Sequence, residues 1–334
     1  MIDARSKISL VEKALAKLAP LEKCCTLCPR NCLVDRTAGE IGICQTGSRA
    51  SISHALLHFG EEPVLSGTRH AGSAREPGSR SGSGTVFFSG CNLKCLFCQN
   101  YQLSWLLEGE AASDEELAEM MLDLQEQGAL NINFVSPTHV VLPILRALRI
   151  AIADGLDIPL VWNSNGYDSV IVIQALEGVV DIYLPDLKYH SPSISKKYSA
   201  AADYFAKASE AIREMSVQRP VLDLGPDGTA RRGLVVRHLI LPGAVEDTLT
   251  ILEWARENLS PFIGLSLMSQ YHPCYRAPEE IQRAVSPEEY RLAADKALAL
   301  GFDHLFLQPE PFRPDEHLVP DFGKKEPFRW KRGR

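Results

Sequence analysis

Cys91-Asn92-Leu93-Lys94-Cys95-Leu96-Phe97-Cys98-Gln99-Asn100 is the stretch on which the fold turns, and it follows closely on Thr85-Val86-Phe87-Phe88. The earlier four residues are apolar or β-forming and read as a buried strand, so the thiols stand on a loop at that strand's carboxyl end. Zinc motifs normally supply ligands as two close pairs. A C-x3-C-x2-C run instead offers three thiolates from one tight loop and no local fourth. Three thiolates can hold a four-iron cluster with one iron left free.

The rest of the chain can support a large enclosed fold around that loop. With 334 residues, 45% of them hydrophobic, it fits one sizeable domain with appendages. A net charge of −7 provides no basic field for nucleic acid. Charged residues Lys7, Glu12, Lys13 and Lys17 interrupt the apolar positions of the amino terminus, which reads as an amphipathic helix and not as a signal peptide. No run approaches the roughly 18 apolar residues of a membrane span. A cytoplasmic protein without a membrane partner is therefore expected.

A second cysteine group precedes the first. Cys25, Cys28, Cys32 and Cys44 form C-x2-C-x3-C-x11-C, and Gly39 and Gly42 permit the turns that return a distant fourth thiol. This is a closed four-ligand set that suits zinc or a second iron–sulfur cluster alike. Cys24 is left out, because adjacent cysteines rarely both point at one metal. Cys274 is read as an inert lone thiol.

Downstream, Ser113-Asp114-Glu115-Glu116 is a capping box leading into Leu117, Met120, Met121 and Leu124, with Gly128 as a stop. Strands are predicted at 131–135, 160–163, 179–184, 233–241 and 262–268, with a further short one at 304–307. Helices are predicted at 140–153, 169–176 and 246–258, and between Ser286 and Gly301. Tyr198, Ala201, Phe205, Ala208, Ile212 and Met215 predict one long helix. Strand–helix alternation gives parallel βα units with right-handed crossovers, in either a doubly wound sheet or a barrel. His54–Pro63 reads as a connector whose Glu61 and Glu62 face solvent. Residues 66–84 read as a mobile Gly/Ser/Arg loop. The basic tail is expected to pack Phe322, Phe328 and Trp330 on the main domain.

Two loops at strand ends carry ligand-binding chemistry. Asn163-Ser164-Asn165-Gly166-Tyr167 presents amides and hydroxyls that suit a ribose, and Asp186-Leu187-Lys188 suits the two ends of an amino acid. The three-cysteine spacing, with an aromatic just before the last thiol, resembles the radical S-adenosylmethionine (SAM) superfamily. Cys-Pro-Arg-Asn-Cys, His-Phe-Gly-Glu-Glu-Pro, Cys-Gln-Asn-Tyr, Asn-Ile-Asn, Arg-His-Leu-Ile-Leu-Pro-Gly and Met-Ser-Gln-Tyr together resemble the PflX-type homologues of pyruvate formate-lyase activating enzyme. The resemblance covers residues 25–308.

That resemblance implies an α/β fold, an incomplete parallel (βα)6 barrel over residues 85–310, with the Cys-rich metal-binding extension at 1–65 and the basic tail at 311–334. It implies that Cys91, Cys95 and Cys98 hold a [4Fe–4S] cluster whose open iron binds SAM, and that Phe97 lies near the adenine. By the same resemblance Asn165, Gly166, Asp186, Lys188, Arg237 and His272 contact SAM. Where the family commonly has Gly-Gly-Glu-Pro, this chain has Val135-Ser136-Pro137-Thr138-His139, so Ser136 and Thr138 take that place. The implied activity is reductive cleavage of SAM to a 5′-deoxyadenosyl radical, with a flavodoxin or ferredoxin as electron donor and hydrogen abstraction from a glycyl-radical-type partner protein. A peptide or small-molecule substrate is the alternative, and a non-catalytic iron–sulfur or zinc protein for electron transfer or docking is the competing class. No residue is assigned a catalytic acid–base role.

Overall fold

The computed structural model describes residues 3–67, 81–308 and 319–328. The core of the expected loop at 66–84 and the tail beyond residue 328 lie outside them. At the loop's margins, Ser66 ends a helix and Ser83 and Gly84 begin a strand, all buried.

The amino-terminal half comprises α1 (Ala4–Leu18), β1 (Ala50–His58), α2 (Pro63–Ser66), β2 (Ser83–Phe88), α3 (Tyr101–Ser104), β3 (Glu110–Ala112), α4 (Asp114–Glu126), β4 (Ile132–Val135) and α5 (Val141–Ala153). Then come β5 (Leu160–Asn163), α6 (Val170–Ala175), β6 (Ile182–Tyr183), α7 (Pro192–Ser199), α8 (Tyr204–Gln218), β7 (Asp223–Leu224) and β8 (Ala230–Leu239). The chain continues through α9 (Val245–Asn258), β9 (Gly264–Met268), α10 (Pro287–Leu300) and β10 (His304–Leu307).

Strand order is β10-β9-β8-β6-β5-β4-β2-β1-β3. From β2 to β10 neighbours are parallel and run in chain order, whereas a doubly wound sheet reverses direction at a switch point. The result is an open, singly wound parallel sheet. Two antiparallel strands, β1 and β3, extend its first edge. This corrects the connector reading of residues 54–63: Ala50–His58 is strand, held by its pairing with β2 and so invisible to a local pattern.

Alternation along the strands separates two environments. Val86, Phe88, Ile132, Phe134, Leu160 and Trp162 pack in the main apolar core beneath the helices. Phe87, Val135, Asn163, Arg237, Ser266 and Met268 instead line a cavity on the other face. One end of that interior is plugged by Val64 and Leu65 of α2, which pack with Val161, Ile182, Leu184, Leu222 and Val235.

Capping boxes form at both expected places. Ser113 and Glu116 close the start of α4, and Ser286 and Glu289 that of α10. The expected long helix is two. α7 ends at Ser199, Ala200 takes a left-handed φ of 48°, and α8 begins at Tyr204. The carbonyls of Ser199 and Ala200, freed at this helix end, accept hydrogen bonds from Arg30. The predicted strand at 179–184 is reduced to two residues, Ile182–Tyr183.

In the tail, Phe322 and Phe328 pack on Phe87 with ring centroids 5.2 and 5.6 Å away, as expected of its aromatics. Trp330 lies outside the described residues.

Because Leu65 is fully buried at the plug, Leu65→Ala should lower stability by about 2–5 kcal/mol through lost burial and a residual cavity. Urea unfolding measures it, and a change near zero would show that α2 is not integral to the interior.

Candidate active site

The interior cavity is about 1490 Å³ and opens at the carboxyl ends of the parallel strands. Cys91, Cys95 and Cys98 line it together with Phe97, Ser136, Asn165, Asp186, Lys188 and Arg237, so these predicted positions meet in one place. Thr138, Gly166 and His272 are not at its wall. Thr138 is buried elsewhere, its hydroxyl donating to Asp168 at 2.6 Å. The residue whose place it was expected to share, Ser136, reaches the cavity from a left-handed φ of 55°.

Gly166 acts from behind the wall. Its φ is +78°, and a Cβ there would come within 2.1 Å of the Asp186 carbonyl oxygen. This glycine lets the loops after β5 and β6 touch, and the Tyr204 hydroxyl spans both by donating toward the Asn165 and Asp186 carbonyls at 2.8 Å each.

Asn165 points the other way, donating to Cys91 Sγ at 3.4 Å and to Asn92 Oδ1 at 2.7 Å. The Leu93 amide also reaches Cys91 Sγ, at 3.4 Å. N–H groups aimed at sulfur are a means by which a protein tunes a cluster-bound thiolate. Cys95 and Cys98 are held by burial above the ordinary thiol range, Cys98 at about 12 with Cys95 adding to the effect, while Lys188 works against the rise in both. Loading a metal here therefore expels thiol protons. The buried thiols of Cys91 and Cys95 and the half-buried thiol of Cys98 around one cavity, with amides directed at Cys91, fit the donor set of an iron–sulfur cluster. Among the described residues no group of three or more His, Cys, Asp or Glu stands ready to hold a single metal ion.

Phe97 is buried and meets Tyr189, Tyr198 and Tyr271 edge-on, at centroid distances of 6.4, 6.0 and 5.5 Å. This aromatic group walls the cluster loop from solvent.

Asp186 organises the charged part of the cavity. Its carboxylate accepts from Lys188 Nζ at 2.6 Å and from Arg237 Nε at 2.8 Å. Burial alone would raise its pKa, but Arg237 and Lys188 outweigh that and hold it below the usual carboxylate range. Burial would likewise lower Lys188, and Asp186 with Cys95 raises it instead. Arg237 also donates to Asn163 Oδ1 at 2.6 Å.

Glu61 and Glu62 overturn the solvent-facing expectation. Both line the cavity: Glu61 approaches Arg237 at 3.5 Å, and Glu62 is 9% exposed. Their position follows from the α2 plug, since Pro63 starts that helix immediately after them. No local signal marks this, because the apolar residues that turn them inward come after them.

In the amino-terminal group Cys25, Cys28 and Cys44 are buried, Cys32 is half-buried and Cys24 is exposed. Burial pushes Cys28 up to about 12, with small additions from Cys44, Cys25 and Cys32. Gly42 is needed there, because a Cβ would lie 2.8 Å from Cys32 Sγ. Arg30, overlooked as a site residue, docks this module on the cluster loop by donating to the Asn92 carbonyl at 2.7 Å and the Leu93 carbonyl at 3.1 Å. Cys274 is buried, its pKa raised to about 11 by burial.

Several known proteins are similar to this chain. Residues 85–226 match the radical SAM superfamily. The uncharacterized protein MJ0674 of Methanocaldococcus jannaschii is 30% identical over 296 residues, covering 85% of this chain and 77% of that protein. A second uncharacterized protein of that organism, MJ0808, is 24% identical over 312 residues, covering 88% and 83%. Among solved structures, Streptococcus suis SuiB bound to S-adenosylmethionine aligns at 13% identity and TM-score 0.46, covering 66% of this chain and 48% of SuiB, about half its length. Methylornithine synthase (PylB) aligns at 16% identity and TM-score 0.42, covering 66% and 72%. The chain belongs to the radical SAM superfamily. Among the described residues no helix is long and apolar enough to cross a membrane.

Asp186→Asn would strand two largely desolvated cations, Lys188 and Arg237, 17% and 15% exposed, and should destabilise the protein by about 3 kcal/mol at neutral pH. Since the folded carboxylate titrates below its unfolded value of about 3.9, this contribution is complete above that pH and disappears as pH falls through the lower folded value. Urea unfolding of both proteins across pH 3–7 checks this, and parallel stability curves would refute it.

Proposed function

We propose that this protein is a radical SAM enzyme that binds a [4Fe–4S] cluster through Cys91, Cys95 and Cys98, binds SAM beside it, and abstracts a hydrogen atom from a substrate in the same cavity. The observation that carries this reading is the convergence of the three thiols, Asn165 and the Asp186–Lys188–Arg237 network on one enclosed space. When bound, the cluster supplies reductive cleavage of the SAM sulfonium to methionine and a 5′-deoxyadenosyl radical, with the electron taken from a donor such as a flavodoxin or ferredoxin.

The chain's own residues do the rest. Asn165 and the Leu93 amide orient Cys91. Asp186 holds Lys188 and Arg237 in fixed positions, so that opposite charges for an amino-acid carboxylate and ammonium are in place before the ligand arrives. The walls formed by Phe97, Phe87 and Phe328 keep water from a reactive intermediate. The PflX-type sequence pattern supports hydrogen abstraction of the activating-enzyme kind, whose substrate is a glycine Cα of a partner protein.

Anaerobic reconstitution, reduction with dithionite and addition of SAM should yield 5′-deoxyadenosine by mass spectrometry, with Cys95→Ala reducing it to background. Equal product from the variant would sink the assignment of the thiols.

We further propose that Cys25, Cys28, Cys32 and Cys44 bind a second metal, zinc or iron–sulfur, because three of these thiols are buried and one half-buried within one small module; among the described residues they are not gathered closely enough to hold an ion as they stand, so binding would draw them together. Elemental analysis of the protein as isolated should show one metal centre's worth of zinc or iron missing from Cys28→Ser. Unchanged metal content in a folded variant would remove this site.

A further inference from the structure

Inside the cavity the carboxylates of Glu61, Glu62 and Asp186 face the cations of Arg237 and Lys188. Asp186 uses both cations at short range, 2.6 Å to Lys188 and 2.8 Å to Arg237, and Arg237 is further committed to Asn163. What remains for Glu61 is a long 3.5 Å approach to Arg237 and an equally long one from the Asn163 amide. Glu62 is more isolated. Among the described residues its Oε2 is buried without a hydrogen-bond partner, although the side chain lines the cavity. Among the described residues, one carboxylate of this enclosed group is thus left without a close cation, and burying an unmatched charge costs several kcal/mol.

The empty protein has one way to relieve this cost, which is to protonate. Burial raises the Glu62 pKa to about 7, with Arg237 opposing and Glu61 adding to the rise. A cation brought by a ligand would relieve it better, since it would satisfy Glu62 and add a close contact to the two long ones of Glu61. The groups facing this spot come from several elements: Arg237 on β8, Ser266 on β9, Asn163 on β5, and Asp186 with Lys188 after β6. His58 at the end of β1, and Lys325 with Glu326 of the tail, line the same cavity.

The geometry points to Glu61 and Glu62 as the substrate-recognition pair of this cavity, receiving an ammonium or guanidinium group of the substrate. This inference rests on the radical SAM reading for its setting and adds the substrate's chemical class. It gives Lys188 and Arg237 to the anionic end of SAM and the two glutamates to a cationic substrate, so the cavity sorts its ligands by charge.

The test is calorimetric titration of the full-length, iron–sulfur-reconstituted protein, without SAM, using n-butylammonium, n-butylguanidinium, N-acetyl-lysine methylamide and neutral 1-butanol as probes. At least one cationic probe should bind with one-to-one stoichiometry and 1-butanol should not. Affinity for the simple cations alone would identify a free amine or guanidine as the source, and affinity for the blocked lysine would identify a peptide side chain. Since only ionised Glu62 accepts the cation, affinity should fall about tenfold from pH 8 to pH 6. Titration at pH 7 in two buffers of different ionisation enthalpy should reveal about half a proton released per cation bound. That readout needs no variant and persists if substitution damages folding. In a folded Glu62→Gln protein both the binding and its pH dependence should be lost.

Failure of every cationic probe to bind at pH 8, binding without proton release, or unchanged binding in folded Glu62→Gln would overturn the inference. Cation binding in a protein that never forms 5′-deoxyadenosine would discard the radical SAM reading alone. Product formation without cation binding would discard this inference alone.

Discussion

A carboxylate shared by two cations inside the cavity is the constraint on which the site depends. Asp186 follows β6, a two-residue strand whose pairing with each neighbour extends over only two residues. Beyond it the sheet continues as an isolated parallel bridge between Asp186 and Arg237. Side-chain and backbone contacts therefore coincide. The ion pair fixes the loop after β6 against β8, while Gly166 and the Tyr204 hydroxyl bring the loop after β5 onto the same backbone. Buried charges of this kind contribute little net stability against an apolar alternative, but removing one partner is expensive. The arrangement consequently behaves as a positional lock, and the cations it holds are ready before any ligand enters.

Much of the fold was legible because its signals are local. The strand leading to Cys91, the strand Leu160–Asn163 and the two capping boxes each depend on residues within one element. Elements set by distant partners were not legible. β1 exists because β2 offers an edge, and the break after Ser199 coincides with carbonyls taken by an arginine about 170 residues earlier. The cavity shows the same division. Cys91, Cys95, Cys98, Asp186 and Lys188 were recognisable from spacing and kinship. The inward turn of Glu61 and Glu62 depends on Val64 and Leu65 finding partners on β5, β6 and β8, which no local pattern records. Thr138 failed for a related reason: its hydroxyl is drawn to buried Asp168, itself held by Ser164, on the far side of the loop.

The two cysteine groups form one mechanical unit. Arg30 lies between Cys28 and Cys32, and its guanidinium collects carbonyls from the cluster loop at Asn92 and Leu93 and from the end of α7 at Ser199 and Ala200. Gly90, just before Cys91, leaves no space for a side chain, since a Cβ would meet the Cys44 carbonyl at 2.6 Å. The planar fork of arginine suits this task where the point charge of lysine would not, because several carbonyls in different directions must be satisfied at once. The backbone that carries Cys91 is thereby tied to the amino-terminal module at a fixed point, and the run Cys28-Pro29-Arg30-Asn31-Cys32 supports the neighbouring loop as well as its own module.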